Sequence, residues 1–129
     1  MNKQIIQTEN APATIGPYSQ AVKVGSLLFI SGQIPLDPAT GNLVHGDIAA
    51  ETHRVMKNLE AILLAAGLNL ENVVKTTIFL KNMDEFAQVN AVYASYFTGN
   101  FPARETVEVS RLPKNVNVEI SAIASDSVS

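Results

Sequence analysis

An α+β fold, one mixed β-sheet with two helices on one face, is predicted by three features of the sequence. These are the order of its elements, two helical stretches with one-sided apolar spacing, and strand-like runs at either end of the chain. The order reads β-β-β-α-β-α-β-β. Two strand-then-helix units return the chain to the same sheet, and hairpin-type runs extend it. All 129 residues, 1–129, are expected to form a single domain with room for a buried core.

Lys3 to Gln7 reads as a short edge strand. The stretch Ala11-Pro12-Ala13-Thr14-Ile15-Gly16-Pro17 is punctuated by two prolines and a glycine, so it is irregular and delivers Tyr18 to the next strand. Runs Ser19–Val24 and Leu27–Ser31 flank Gly25-Ser26, a connection suited to a type II′ hairpin. Leu27-Leu28-Phe29-Ile30 is continuously apolar, which predicts a strand covered on both faces. Asp47 is a suitable N-cap for a long helix that stops before Gly67. Its stripe of Ile48, Val55, Met56, Leu59, Ile62, Leu63 and Ala66 has helical spacing. Val73 to Leu80 is a β-branched strand, and Asn82 with Glu85 resembles a capping box opening a second helix that ends near Gly99. Phe86, Val89, Tyr93, Tyr96 and Phe97 form its inward face, with Asn90 among them as a structural residue serving a buried carbonyl. Gly32, Gly41 and Gly67 read as turn glycines.

Composition narrows the function. Apolar residues make up 47% but charged residues only 16%, against about 25% in ordinary soluble domains. A surface so poor in charge is best buried against further copies, so a homo-oligomer is expected. The net charge of −3 provides no basic footprint for nucleic acid. The absence of cysteine excludes disulfides and thiolate chemistry. The N-terminal residues lack a signal-type apolar region and no stretch is long enough to span a membrane, so a soluble cytoplasmic protein is expected. His45 and His53 belong to no triad or metal-ligand spacing, and no phosphate-binding glycine motif occurs. Neither a metal nor a cofactor is expected.

The chemistry is concentrated in the last third. Arg104 opens the strand-like run Arg104-Glu105-Thr106-Val107-Glu108-Val109, and Glu119 lies in the alternating run Val116 to Ala122. With an antiparallel hairpin that sets Val109 opposite Val116, Thr106 would face Glu119 and Arg104 would share that sheet face. An arginine fork there suits a carboxylate, and a glutamate suits proton handling through water. A cross-strand ion pair is the competing reading.

Three blocks closely resemble the signature of the RidA/YjgF family, the reactive intermediate deaminases. They are Gly16-Pro17-Tyr18-Ser19-Gln20-Ala21, Ser31-Gly32-Gln33-Ile34-Pro35, and the segment Pro102-Ala103-Arg104 through Arg111-Leu112-Pro113-Lys114 to Val118-Glu119-Ile120. The resemblance implies a chorismate-mutase-like α+β fold, a homotrimer around a central barrel, and ligand clefts between subunits. It implies that Arg104 clamps a substrate carboxylate, that Glu119 handles the hydrolytic water, and that Tyr18 and Ser31 line the cleft. Tyr18 as a core-edge tyrosine and Ser31 as a backbone partner are the structural alternatives. Thr106 stands where many relatives carry cysteine, and Glu105 where a small residue is usual. The implied substrate contact at Thr106 is through the backbone.

The activity so implied is hydrolysis of 2-imino acids and enamines, such as 2-iminobutanoate and 2-iminopropanoate, to 2-keto acids and ammonia. Such substrates are small molecules released by pyridoxal-phosphate dehydratases. Two alternatives remain: an RNA-directed endoribonuclease or translation inhibitor, and a non-catalytic metabolite-binding regulator.

Overall fold

The computed structural model describes residues 2–128. Its strands are β1 (Gln4–Ile6), β2 (Ala21–Val24), β3 (Leu27–Gln33), β4 (Val73–Leu80), β5 (Ala103–Glu108) and β6 (Val118–Ser125). Its helices are α1 (Ile48–Ala65) and α2 (Phe86–Ala94). The strands form one sheet in the order β1-β2-β3-β6-β4-β5.

Local chemistry accounts for most of these elements. Gly25, at φ +59°, closes the β2–β3 hairpin as the first residue of a two-residue turn. Asp47 caps α1, its side chain accepting from the Ala50 amide at 2.9 Å. The predicted stripe from Ile48 to Leu63 lies buried against the sheet, and Ala66 sits at the C-cap. Asn82 accepts from the Asp84 amide, whereas the Met83 amide is satisfied by the Glu108 carboxylate at 2.8 Å. Glu85 is thus not the capping-box partner, and α2 ends at Ala94 rather than near Gly99.

Both helices pack on one face of the sheet. Their core joins Val55, Met56, Leu59, Ile62 and Leu63 of α1 and Val89 and Tyr93 of α2 to Leu28, Ile78, Leu80, Val118 and Ile120. Among the described residues no layer covers the opposite face. Leu27 and Phe29 are 38% and 43% exposed there, so β3 is covered on one face rather than two. Among the described residues no helix is long and apolar enough to cross a membrane.

The pairing at the C-terminal end departs from the hairpin expected for β5 and β6. β5 pairs in parallel with β4, Thr76 opposite Arg104 and Phe79 opposite Val107. β6 instead inserts between β3 and β4, antiparallel to both, with Phe79 opposite Glu119. The reason is the intervening helix. A strand that follows a helical crossover returns parallel to the strand before it, and β4-α2-β5 is such a unit. The loop after β5 then carries the chain past β4 to the sheet centre, through a turn at Pro113–Asn115 in which Lys114 and Asn115 have positive φ.

Candidate active site

Arg104 lies on the edge strand β5 and points to the helix-covered face. Its Nη1 donates to Asn90 Oδ1 at 2.8 Å, and its guanidinium carbon lies 5.5 Å and 5.1 Å from the ring centres of Phe86 and Tyr93. The two aromatic contacts hold the fork by cation–π attraction, and Asn90 sets its rotation. Asn90 therefore orients Arg104 rather than serving a loop carbonyl, which corrects the sequence-based assignment. Tyr93 is itself anchored through its hydroxyl, 2.7 Å from Thr76 Oγ1. Burial raises the Tyr93 pKa, against opposing effects of the Thr76 bond and the Arg104 charge, so the phenol stays protonated.

Among the described residues Arg104 has no carboxylate within salt-bridge distance. The cross-strand ion pair with Glu119 is absent. Arg104 borders two hollows, one of about 360 Å³ with Asn90, Tyr93, Phe101 and Pro102, and one of about 450 Å³ with Met83, Phe86 and Thr106. Thr106 Oγ1 is buried beside it without a hydrogen-bond partner. A guanidinium with unused donors and an orphan hydroxyl at one hollow can take a small anionic ligand.

Glu119 belongs to the other face. Alternation along β6 buries Val118 and Ile120 under the helices and turns Glu119 away from them. The carboxylate forms no hydrogen bond among the described residues, and partial burial alone raises its pKa. It rests on the backbone of Gly32, at a bulge in β3 where the register shifts between Ile30 and Gln33.

The other predicted residues gather on the Gly32 side. Tyr18, 53% exposed, joins Ile15, Gly32, Ile34, Pro113 and Lys114 around a hollow of about 350 Å³. Ser31 Oγ donates to the Ser19 carbonyl at 2.6 Å, so its hydroxyl hydrogen ties β3 to the loop that carries Tyr18. Tyr18, Ser31 and Glu119 are thus linked through Gly32 and the Ser31–Ser19 bond as one candidate half-site, and Arg104, Thr106 and Asn90 form a second candidate. The sheet separates them. The shared patch expected from the hairpin register does not exist within one chain.

Sequence reasoning missed two residues. Gln20 is buried, and its amide accepts from the Thr8 amide at 2.7 Å and donates to the carbonyls of Thr8, Ala11 and Pro12 at 3.0, 3.3 and 2.9 Å. A polar residue two positions from Tyr18 in an apolar strand start was the available signal. Gln20→Leu should destabilise the protein by about 3 kcal/mol, since it strips several backbone groups of partners. Denaturant unfolding checks the magnitude, and faster amide exchange over residues 8–18 checks the location. Gly32, read as a turn glycine, is instead part of β3.

The chain matches the family model described as Endoribonuclease L-PSP over residues 8–126. It is 59% identical to a RutC family protein of Pyrococcus horikoshii, over 95% of this chain and 97% of that protein. It is 52% identical to the 2-iminobutanoate/2-iminopropanoate deaminase of Salmonella typhimurium, over 92% and 94%. The solved structure of Escherichia coli TdcF with bound serine superposes with a TM-score of 0.91 at 42% identity, over 95% of this chain and 98% of that one. Family model, relatives and fold agree with the three sequence blocks and with the mixed sheet under two helices: the chain belongs to the RidA/YjgF family.

Proposed function

We propose that the protein hydrolyses reactive 2-imino acids and their enamine tautomers, 2-iminobutanoate and 2-iminopropanoate among them, to 2-keto acids and ammonia. Its main support is the Arg104 fork, held by Asn90 and two aromatic rings with no carboxylate of its own to neutralise it. That arrangement suits the carboxylate common to all 2-imino acids. The deaminase name of the Salmonella relative and the serine bound to TdcF, itself an amino acid, point the same way.

In this reading Arg104 orients the imine carbon, and Glu119 takes a proton from water as its oxygen adds to that carbon. The proton returns to nitrogen to give a carbinolamine; Glu119 then passes the hydroxyl proton to the amine, the C–N bond breaks, and ammonia leaves as the carbonyl forms. Groups around Thr106 hold the imine nitrogen. The reaction runs slowly in water alone, so placement of a few groups suffices. Pyridoxal-phosphate dehydratases are the class of enzyme that would supply the substrate.

One chain cannot present Arg104 and Glu119 to one molecule, because they occupy opposite faces of its sheet. The proposed functional unit is therefore a homotrimer with clefts between copies, Arg104 and Thr106 of one copy facing Tyr18, Ser31 and Glu119 of the next. The exposed apolar residues Ile5, Leu27, Phe29 and Val107 support burial of this kind. Sedimentation velocity should give three times the chain mass, and Phe29→Asp should give monomers without turnover. A wild-type monomer at micromolar concentration would exclude the shared cleft.

The family model's name favours one rival, an RNA-directed activity. The net charge of −3 opposes it. A single assay separates the readings: a threonine dehydratase with semicarbazide as imine trap. Addition of the protein should lower trapped imine and raise 2-ketobutyrate. If RNA is cut instead, and Arg104→Ala leaves the imine assay unchanged, the hydrolase reading fails. Binding of 2-ketobutyrate without any turnover would mark a metabolite-binding regulator.

A further inference from the structure

We infer that Gly32 is a positioning residue for Glu119, its missing side chain being the seat in which the carboxylate lies. The inference rests on the reading of Glu119 given above.

The glycine is not there for its backbone. Six of the seven glycines, Gly16, Gly25, Gly41, Gly46, Gly67 and Gly99, have positive φ, a conformation that disfavours side chains. Gly32 alone does not, so its conformation is open to alanine. Space, not backbone conformation, is what a side chain there would lack. A Cβ on Gly32 would collide with Glu119 Oε2 and would stand 2.8 Å from its carboxyl carbon and 3.0 Å from its Cγ. At Gly41, Gly46, Gly67 and Gly99 an added Cβ would stand in open space, and at Gly16 it would lie 3.8 Å from Tyr18.

The bulge explains how the space arises. Ile30 pairs with Ala122 and Gln33 with Ile120, so Ser31 and Gly32 together stand against Ser121. The extra residue brings the β3 backbone under the Glu119 side chain. No hydrogen bond within the described chain holds that carboxylate, so its location depends on packing against Gly32. Partial burial of the carboxylate also raises its pKa. Ser31, one residue earlier in the same bulge, ties β3 to the loop that carries Tyr18. The bulge thus places two parts of one half-site.

The clashing atoms belong to the outer part of a flexible side chain. Gly32→Ala should therefore fold, and relieve the overlap by swinging the Glu119 carboxylate outward. A displacement of about 1 Å is enough for a loss on the order of a hundredfold in rate. Gly32→Ala should lower kcat about 10- to 100-fold with 2-ketobutyrate affinity within about twofold of wild type. In the Glu119→Gln background the same change should cost less than about threefold more, since the group it displaces no longer acts. Carboxyl carbon NMR should show Glu119 titrating lower in Gly32→Ala than in wild type.

Four results would overturn the inference. One is Gly32→Ala with full turnover while Glu119→Gln is impaired, which leaves the proposed hydrolysis intact. Another is an equal loss from Gly32→Ala in both backgrounds, which assigns the effect to the backbone. A third is an unchanged Glu119 titration. Should Gly32→Ala not fold, Gly32→Ala/Glu119→Ala has room for the methyl and should fold; failure of that double variant is the fourth. If Glu119→Gln itself keeps full activity, the catalytic reading of Glu119 fails separately, and the titration still reports whether Gly32 seats it.

Discussion

Replacing Glu119 with glutamine is expected to lower kcat about 100- to 1000-fold, within the lower part of the range lost when a positioned general base is removed. Glutamine keeps the shape and the hydrogen-bonding reach, so the Gly32 seat remains filled. The affinity for 2-ketobutyrate should stay close to wild type, because the carboxylate acts on water in the transition state rather than on bound product. The pH profile supplies a second signature. Burial raises the Glu119 pKa, and the base must be ionised to accept a proton. Activity should therefore rise with pH along a limb above the ordinary carboxylate range, and that limb should vanish in Glu119→Gln. If a neighbouring copy sets its Arg104 against Glu119, the cation favours ionisation, and Arg104→Ala should move the limb still higher. Stopped-flow or coupled assays across pH, corrected for uncatalysed hydrolysis, measure all of this. Full activity in Glu119→Gln would reduce Glu119 to a partner of Arg104.

Arg104→Lys is expected to lower kcat/KM about 10- to 150-fold, the equivalent of one charge-assisted hydrogen bond. Lysine keeps the charge but loses the fork, so bidentate contact with a carboxylate is impossible. It also leaves Asn90 without its 2.8 Å donor and the rings of Phe86 and Tyr93 without their flat partner. Unlike Glu119→Gln, this change should weaken 2-ketobutyrate binding directly, because the carboxylate is present in product and substrate alike. Calorimetry with the keto acid, run beside the kinetic assay, distinguishes the two variants. A loss confined to kcat would mean that Arg104 is not the carboxylate clamp.

How far the sequence reaches is clearest at its helices and turns. Asp47, the stripe from Ile48 to Leu63, and Gly25 each act within a few residues of themselves, so α1 and the β2–β3 turn were legible from spacing. The bounds of β4 were legible for the same reason, Val73 to Leu80 being a β-branched run between turns. Family membership was legible too, since three blocks of unusual composition survive in order. Alternation also assigned Glu119 to the face opposite Val118 and Ile120.

Strand partners were another matter. Alternation sorts the residues of one strand into two faces but says nothing about which strand lies alongside. The parallel return of β5 beside β4 and the insertion of β6 at the sheet centre depend on contacts far apart in sequence. Those pairings put Arg104 under the helices and Glu119 on the open face, and so divide the candidate site between two surfaces of one chain. Asn90 and Gly32 were misread for the same reason. Only the packed structure brings an asparagine of α2 to the guanidinium on β5, or a bulge of β3 beneath the carboxylate on β6. The sequence by itself determined most elements, the family and the candidate residues; their division between two faces of the sheet was decided by strand order, a property of non-local pairing.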